Sequence, residues 1–151
     1  MISSAQPDIN LRPATMQDCQ LLLDWRNDPT TRGASLSTEE IPFEVHSAWY
    51  SKALANNEMS IFIVETPDGE PVGTIRSANG TLGREVSVSI AREHRRKGFA
   101  RQAIAILTRD PHTFVARIRK GNEGSLKSFI ENGFRIVSEK NDVLLLEKEA
   151  K

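Results

Sequence analysis

The stretch of sequence that decides the fold of this protein is EVSVSIAREHRRKGFARQAIAIL, residues 85–107. Its first six residues alternate between polar and apolar side chains, a period of two that is typical of a strand with one buried face. A helical pattern follows over Gly98–Thr108, and a strand-like run, Phe114–Ile118, comes after it. A strand, a helix and a second strand in this order predict a crossover that places the two strands parallel.

The residues before this stretch predict two helices. The capping-box spacing of Thr15–Asp18 predicts a helix that ends at Asp28-Pro29, because proline disfavours helical geometry in the residue before it. We expect a loop over Thr30–Ser37. A second helix is predicted to begin near Pro42 and to end at Asn56-Asn57. Its expected apolar stripe consists of Val45, Trp49 and Ala53.

Strands are predicted on both sides of these helices. A short strand covers Ile9–Arg12, and Ile61–Val64 with Val72–Arg76 forms a hairpin around a Pro-Asp-Gly turn. Asn79-Gly80 is expected to form the next turn. Near the carboxyl end, a helix is predicted over Asn122–Asn132, with Gly133 in the left-handed position after it and strands at Ile136–Val137 and Val143–Leu146.

These elements predict one α/β (α+β) domain over residues 1–151. Its sheet is expected to be mixed and mostly antiparallel, with one parallel pair of strands, and to be flanked by about four helices. A chain of 151 residues is long enough for a core that needs no disulfide.

Composition excludes several classes of protein. Hydrophobic residues make up 38% of the chain and the formal net charge is zero, so the chain is outside the disordered regime. Cys19 is the only cysteine, which excludes an internal disulfide and favours a reducing compartment. No apolar run approaches a membrane span, and the first ten residues lack a secretory pattern, so we expect a cytoplasmic protein. The three histidines are far apart in sequence, and no metal site is expected.

The segment from Arg92 to Arg101 is strongly basic. It carries five basic residues and one acid, a net charge of +4, so the rest of the chain carries −4. Because the segment joins an apolar strand to the start of a helix, its backbone N–H groups are expected to bind a phosphate. A solvated basic loop and a nucleic-acid contact are the alternatives. The acidic remainder of the chain disfavours nucleic acid.

Residues 95–100, RRKGFA, resemble the Arg/Gln-x-x-Gly-x-Gly/Ala pyrophosphate loop of the GNAT superfamily of N-acyltransferases. The alternating strand before the loop agrees with that family, as does the later pattern from Asn122 and Ser125 to Gly133-Phe134. The front end, residues 24–29 (DWRNDP) with His46 and Trp49, resembles the branch that acetylates nucleotide-linked amino sugars. Acetyltransferases of ribosomal-protein N-termini share part of this pattern.

The resemblance implies acetyl-CoA as cofactor and a small-molecule amine as substrate. A homodimer formed through a strand edge is left open. The cofactor-binding residues that it implies are Val88, Ser89, Ile90, Arg95, Arg96, Lys97, Gly98, Phe99, Ala100, Asn122 and Ser125. For Asn122 the alternative is a helix N-cap.

Glu85 and His46 are the candidate proton acceptors. Glu85 lies on the polar side of its strand and would accept the amine proton, or would pair with Arg84 or another neighbour. His46 would relay a proton, or would be a surface or capping histidine. Trp25, Arg26 and Trp49 are expected to contact the acceptor, with core packing as the alternative for the tryptophans and pairing with Asp28 as the alternative for Arg26.

One position departs from the family pattern. Phe129, beside Ser128, stands where many GNAT enzymes have a tyrosine that protonates the leaving thiolate. Three hypotheses follow: an amino-sugar N-acetyltransferase, a protein N-terminal acetyltransferase, and a non-catalytic module that binds acyl-CoA or nucleic acid.

Overall fold

The computed structural model describes residues 9–36 and 38–150. In this part of the chain, a seven-stranded sheet is accompanied by five α-helices, together with 3-10 turns at Met16–Asp18 and Arg92–His94. The elements in chain order are β1 (Asn10–Pro13), α1 (Cys19–Asn27), α2 (Pro29–Ala34), α3 (Phe43–Ala55), β2 (Met59–Glu65), β3 (Pro71–Gly80), β4 (Gly83–Ile90), α4 (Phe99–Leu107), β5 (Phe114–Arg119), α5 (Glu123–Ile130), β6 (Arg135–Lys140) and β7 (Val143–Lys148).

The sheet has the strand order β1-β2-β3-β4-β5-β7-β6. Every neighbouring pair is antiparallel except β4 and β5, which are parallel and are joined through α4. The predicted fold class and the predicted crossover are therefore confirmed. A parallel pair requires such a long connection, because the chain must return to the same end of the sheet.

The predicted capping box is present at the start of the first helical segment. The Thr15 hydroxyl accepts a hydrogen bond from the Gln17 N–H at 3.3 Å, and the Asp18 carboxylate accepts one from the Thr15 N–H at 2.8 Å. Arg12 donates to both carboxylate oxygens of Asp18, at 3.0 and 3.1 Å. This first turn is a 3-10 turn that leads directly into α1, and α1 ends at Asn27 as predicted.

The prediction of a loop over Thr30–Ser37 is wrong for residues 30–34, which belong to α2. Ser37 lies outside the described residues. Asp28 caps α2 by accepting hydrogen bonds from the backbone N–H groups of Thr30 and Thr31, and Pro29 occupies the favoured first helical position. This extra helix raises the number from the expected four to five.

The expected apolar stripe of α3 is confirmed for Ala53 and is wrong for Val45 and Trp49. Val45 and Trp49 are exposed, with 60% and 40% of their surface accessible, whereas His46, Tyr50 and Ala53 are buried. The Tyr50 hydroxyl donates to the Thr15 carbonyl at 2.7 Å, which orients this face of the helix towards α1. A buried tyrosine with a satisfied hydroxyl therefore decides the orientation of α3.

The turn expected at Asn79-Gly80 is wrong by two residues. β3 continues to Gly80, which pairs with Gly83, and the chain reverses at Thr81-Leu82. Asn79 remains in the ladder opposite Arg84, because the register of the long hairpin extends that far.

The two faces of the sheet are covered differently. One face carries the larger core, in which Ile75, Val86 and Phe114 pack against α4 and α5. On the other face, Ile61 and Ile63 pack against Cys19, Leu22 and Tyr50 of α1 and α3. This second apolar cluster is confined to the β2 side, so the same face of β3, β4 and β5 carries polar side chains, including Thr74, Arg76, Ser87, Glu85 and Arg117.

Candidate active site

The parallel strands β4 and β5 are paired only at their beginning. The pairs are Arg84 with Phe114 and Glu85 with Val115, and in the described residues the ladder between the two strands continues no further. β5 stays paired with β7 over its whole length, and β4 stays paired with β3. The carboxyl-terminal parts of β4 and β5 therefore separate, and the ladder of β4 with β5 does not include Val86–Ile90.

The amino-terminal end of α4 lies beside this gap. Gly98, the N-cap of α4, has φ 82° in the left-handed region, and Arg96 has φ 65°. The first hydrogen bond of the helix runs from the Gln102 N–H to the Gly98 carbonyl, at 3.1 Å. The N–H groups of Gly98, Phe99 and Ala100 precede it, so the helix itself supplies no acceptor for them. Such groups, with the helix dipole behind them, attract an anion.

The side chains of this loop have different environments. Phe99 is buried in the core, so its contribution to the loop surface is its backbone. Arg96 and Lys97 are exposed, and Ala100 is half-buried. Arg95 is half-buried and donates to the Ile90 carbonyl at 2.9 Å and to the hydroxyls of Thr30 and Thr31 at 3.0 and 2.7 Å. Through these hydrogen bonds, Arg95 connects the loop to the end of β4 and to α2.

Asn122 and Ser125 lie at the start of α5. The Asn122 side chain is the N-cap of this helix and accepts a hydrogen bond from the Ser125 N–H at 3.3 Å. Asn122 is therefore a helix N-cap, which was the alternative interpretation of this residue. Asn122 and Ser125 as cofactor contacts stay a prediction, as do Val88, Ser89 and the other loop residues.

Glu85 lies on the polar face of β4, at the last paired position before the strands separate. Its Oε1 atom accepts a hydrogen bond from Arg117 Nη1 at 3.0 Å, across the parallel pair. About a third of the Glu85 side chain, 31%, is exposed. Glu85 therefore forms the ion pair that was its alternative role, and the partner is Arg117 rather than Arg84. Glu85 lies at the edge of the gap on this face, so it remains the candidate proton acceptor.

His46 is buried, with 6% of its surface accessible, and its ring stacks on Tyr50 at a centroid distance of 5.6 Å. Burial lowers the pKa of His46 below its ordinary value of 6.5, although a hydrogen bond with the Cys19 backbone opposes this effect. His46 Nε2 has no hydrogen-bond partner among the described residues. The structure thus places His46 in the packed interior between α1 and α3, and its role in proton transfer stays a prediction.

Trp25 packs against the apolar cluster of α1 and α3, as its core alternative proposed. Trp49 is exposed, and the Arg76 guanidinium carbon lies 5.1 Å from the centroid of its ring. This is a cation–π contact. Arg76 stands opposite Ser87 on the polar face of the sheet. Burial lowers the pKa of Arg76, the nearby Glu85 opposes this shift, and the positive charge of Arg26 adds to it.

Arg26 lies in the last turn of α1, and its Nη1 atom is closed to solvent. Burial and the positive charge of Arg32 lower its pKa. The alternative partner for Arg26, Asp28, is engaged by Thr30 and Thr31 and lies 4.0 Å from Arg92.

Sequence reasoning missed the arginines of β3 and β5. Arg76 follows Thr74 on the polar side of a strand that otherwise reads as apolar, and Arg117 and Arg119 alternate with the buried Ala116 and Ile118. A period-two pattern of charged residues in these strands was the available signal.

Phe129, at the position where many GNAT enzymes have a tyrosine, is buried. Phe129 is 1% exposed and packs edge-to-face on Phe134 at a centroid distance of 4.9 Å. The hydroxyl of the neighbouring Ser128 donates to the Gly124 carbonyl at 3.0 Å. Tyr50 is the single tyrosine of the chain, and burial raises its pKa to about 12.

The described residues contain no group of three or more histidine, cysteine or acidic side chains that could hold a metal ion. None of the helices in this part of the chain has the length and apolar character needed to cross a bilayer.

The model of the acetyltransferase (GNAT) domain family matches residues 8–135, which is more than half of the chain. The protein belongs to the GNAT acetyltransferase family. The resemblance noted in the loop and in the late helix is thereby confirmed, and so is the expected class of enzyme, an N-acetyltransferase. The amino-sugar and ribosomal branches within the family are finer distinctions than this match makes.

Solved structures agree with the GNAT fold. A domain from Methanocaldococcus jannaschii is similar with a TM-score of 0.83 and 20% identity, over 94% of this chain and 98% of that chain. Spermidine N-acetyltransferase from Vibrio cholerae, solved with CoA and spermine, gives a TM-score of 0.79 and 20% identity over 92% and 94%. The yncA protein from Salmonella typhimurium, solved with its cofactor acetyl-CoA, gives 0.78 and 18% over 95% of each chain. A comparison with curated proteins gave no match.

Proposed function

We propose that this GNAT enzyme, as a single domain of residues 1–151, transfers the acetyl group of acetyl-CoA to the primary amine of a nucleotide-linked amino sugar. The observation that carries the proposal is the gap between β4 and β5, which begins at Glu85 and is followed, after the end of β4, by the anion-attracting start of α4. A long cofactor with a pyrophosphate needs both features close together. Its thioester would then lie near a carboxylate.

The residues of the gap fit coenzyme A. The backbone of Val88, Ser89 and Ile90 would pair with the amide groups of the pantetheine arm, in the way that a further strand would. The N–H groups of Gly98, Phe99 and Ala100 would hold the pyrophosphate, with Arg96 and Lys97 adding positive charge. Because Arg95 fastens the loop to β4 and α2, these donors are held in place before the cofactor binds.

Glu85 would accept the proton of the attacking amine. Arg117 engages Oε1, so Oε2 is the atom that would receive the proton, directly or through a water. An amine attacks a carbonyl only as the free base, and a carboxylate at the edge of the cleft removes its proton as the new carbon–nitrogen bond forms. Proton acceptors of this kind contribute about 10²- to 10⁴-fold to rates.

Acetyl-CoA supplies an activated thioester whose sulfur is a good leaving group. Phe129 offers no proton, and the hydroxyl proton of Ser128 is engaged by the Gly124 carbonyl. Tyr50 donates to the Thr15 carbonyl within the helical layer. We therefore propose that water protonates the departing sulfur in this enzyme.

The acceptor side supports a nucleotide-linked sugar. Trp49 offers an exposed ring on which a base or a sugar could stack, with Arg76 beside it. Arg26 adds a second guanidinium in the same region, because its charge acts on Arg76. Guanidinium groups are suited to phosphate, to which they bind in a bidentate manner.

The test combines a binding measurement with an acceptor panel. Acetyl-CoA is titrated into the protein by calorimetry, and release of free CoA is then followed with nucleotide-linked amino sugars, the corresponding free amino sugars, and peptides with free N-termini. We expect saturable binding and turnover with the nucleotide-linked group. Turnover with peptides alone would instead identify the protein as an N-terminal acetyltransferase. The absence of acetyl-CoA binding at millimolar concentration would overturn the proposal.

A further inference from the structure

A groove continues from Glu85 along the polar face of the sheet. It consists of two adjoining cavities of about 220 and 320 Å³, which share Asn141 and Val143 as lining residues. Leu36 and Thr38, which follow α2, close the smaller cavity on the side of the helices. Arg117 lines the larger cavity and also binds Glu85 at 3.0 Å, so the groove begins at the candidate proton acceptor.

The strand register arranges the groove in two rows. Arg117, Leu145 and Ser138 stand opposite one another on β5, β7 and β6. Arg119, Val143 and Lys140 form the next row. Two residues along a strand separate the rows, which is a distance of about 7 Å. Glu85 itself pairs with Val115, one row before Arg117, so about 13 Å along the strands separates the Glu85 row from the Arg119 row.

The charge of the groove is positive. Arg117, Arg119 and Lys140 line the cavities, and Asp142 is the acidic residue among the lining side chains. Glu85 compensates Arg117, and Asp142 offsets one of the charges of Arg119 and Lys140, which leaves a net charge of +1. Arg119 Nη1 donates to the Ser35 carbonyl at 3.0 Å, and this bond holds the guanidinium at the wall of the smaller cavity. The rest of the floor, Val143 and Leu145, is apolar.

We propose that Arg119 and Lys140 form a subsite for an oxyanion of the acceptor, a phosphate or a carboxylate, about 13 Å along the strands from the row of Glu85. This inference rests on the proposed acetyl transfer and specifies its acceptor: an amine that carries a negative charge. Arg119 lines the smaller cavity and Lys140 the larger one, and both stand in the row of Val143, so their guanidinium and ammonium groups can bind one oxyanion through charge-assisted hydrogen bonds. The same two charges would repel a polyamine such as the spermine in the Vibrio cholerae structure.

The subsite can be tested with ligands that differ only in charge. The protein, saturated with CoA so that the cofactor phosphate sites are filled, is titrated with phenyl phosphate, benzoate, benzamide and benzamidine. Binding is read from nitrogen-15 spectra of the arginine side chains, with Arg119 Nε as the reporter. We expect phenyl phosphate and benzoate to shift the Arg119 signal in a saturable way, and benzamide and benzamidine to leave it unchanged. The anion that binds more tightly shows whether the subsite prefers a phosphate or a carboxylate.

Matched variants decide whether the two cations are responsible. Lys140→Gln and Arg119→Gln are each expected to weaken the binding of the anion by about tenfold, which is one charge-assisted hydrogen bond. Lys120→Gln is the control, because Lys120 is an exposed cation that pairs with Glu139 at 3.4 Å and does not line the cavities. Anion affinity that is equal in all three variants, or absent from the parent protein, overturns the subsite.

The outcome is separable from that of the proposed function. If the protein does not bind CoA, the same titrations are carried out without it, and the Arg119 signal still reports the anion. Acetyl-CoA binding without an anion response would keep the transferase and remove the subsite. In a kinetic measurement, the variants should raise KM for an anionic amine and leave KM for its neutral analogue unchanged.

Discussion

Glu85 and Arg117 form an ion pair at 3.0 Å across the only parallel pair of strands in the described part of the chain, at the point where the two strands separate. The two residues are 32 positions apart in sequence. Their contact joins the cofactor gap to the groove on the polar face, because Arg117 lines that groove. In the function that we propose, proton removal from the amine and recognition of the acceptor would both involve this carboxylate.

Replacement of this carboxylate should separate catalysis from binding. Glu85→Gln keeps the shape of the side chain and its bond to Arg117 but removes the proton acceptor. We expect kcat at neutral pH to fall by about 10²- to 10⁴-fold, with the Kd for acetyl-CoA unchanged. Glu139→Gln, on the edge strand β6, is the matched control. Full turnover by Glu85→Gln would exclude Glu85 as the base.

The glycine at the start of α4 should be essential for cofactor binding. Gly98→Glu adds a side chain at a positive φ and a negative charge where the phosphates would bind. We expect the affinity for acetyl-CoA in calorimetry to fall by about 100-fold, the equivalent of two charge-assisted hydrogen bonds. The fold should survive, because the strain of a left-handed residue is about 1–2 kcal/mol.

Gly33→Ala is the control for this variant. Gly33 lies in α2, and a Cβ atom there meets no other atom within 4 Å. If Gly98→Glu binds acetyl-CoA as tightly as Gly33→Ala does, the phosphate site lies elsewhere.

His46 should make the stability of the protein depend on pH near neutrality. Burial lowers the pKa of His46, so the unfolded chain binds a proton more readily than the folded protein does. The free energy of unfolding is therefore expected to decrease as the pH falls below about 6.5, until the pH reaches the lower pKa of the folded state. His46→Phe keeps an aromatic ring beside Tyr50 and removes the imidazole group that binds the proton.

Urea unfolding at pH 8 and pH 5 measures the effect. The stability of His46→Phe relative to the parent protein should be greater at pH 5 than at pH 8. His112→Phe, at an exposed position, serves as the control. An equal difference at both pH values would show that the folded protein accepts the proton on His46 as easily as the unfolded chain does.

Asp18 should contribute to stability at neutral pH and lose this contribution in acid. The hydrogen bonds from Arg12 are the main cause that lowers the pKa of Asp18, against the raising effect of its burial. A carboxylate with a lowered pKa stabilises the folded state above the pKa of the unfolded chain, near 4, and this contribution is lost as the pH falls through the folded pKa. Asp18→Asn should cost about 2 kcal/mol at pH 7 and less at pH 2.

Asp24→Asn is the control for the acid titration. Asp24 is an exposed carboxylate of the same helix and accepts a hydrogen bond from Gln20. Chemical denaturation of both variants over the acid range is the measurement. A loss in Asp18→Asn that is independent of pH would mean that its capping geometry, rather than its charge, stabilises the turn.

Much of the fold follows from local patterns. The alternation in β4, the capping box at Thr15 and the left-handed Gly133 each depend on residues within one turn or one strand, and each is present where the sequence predicts it. The phosphate loop is equally local, because a glycine between a strand and a helix leaves N–H groups free for an anion wherever it occurs. These features need only the backbone and its nearest side chains.

The orientation of α3 and the acceptor side depend on contacts that no local pattern contains. Val45 and Trp49 have the spacing of a core stripe, yet the bond from Tyr50 to Thr15, 35 positions away, turns the other face inwards. Arg117 meets Glu85, and Arg119 stands in a row with Lys140, only because the strand order places β5 between β4 and β7. The sequence by itself therefore determined the class of enzyme, through its resemblance to the GNAT family, and the backbone of the proposed phosphate loop, which depends on neighbouring residues. The tertiary structure alone decided which side chains line the proposed acceptor site, because burial and strand register act between residues that are distant along the chain.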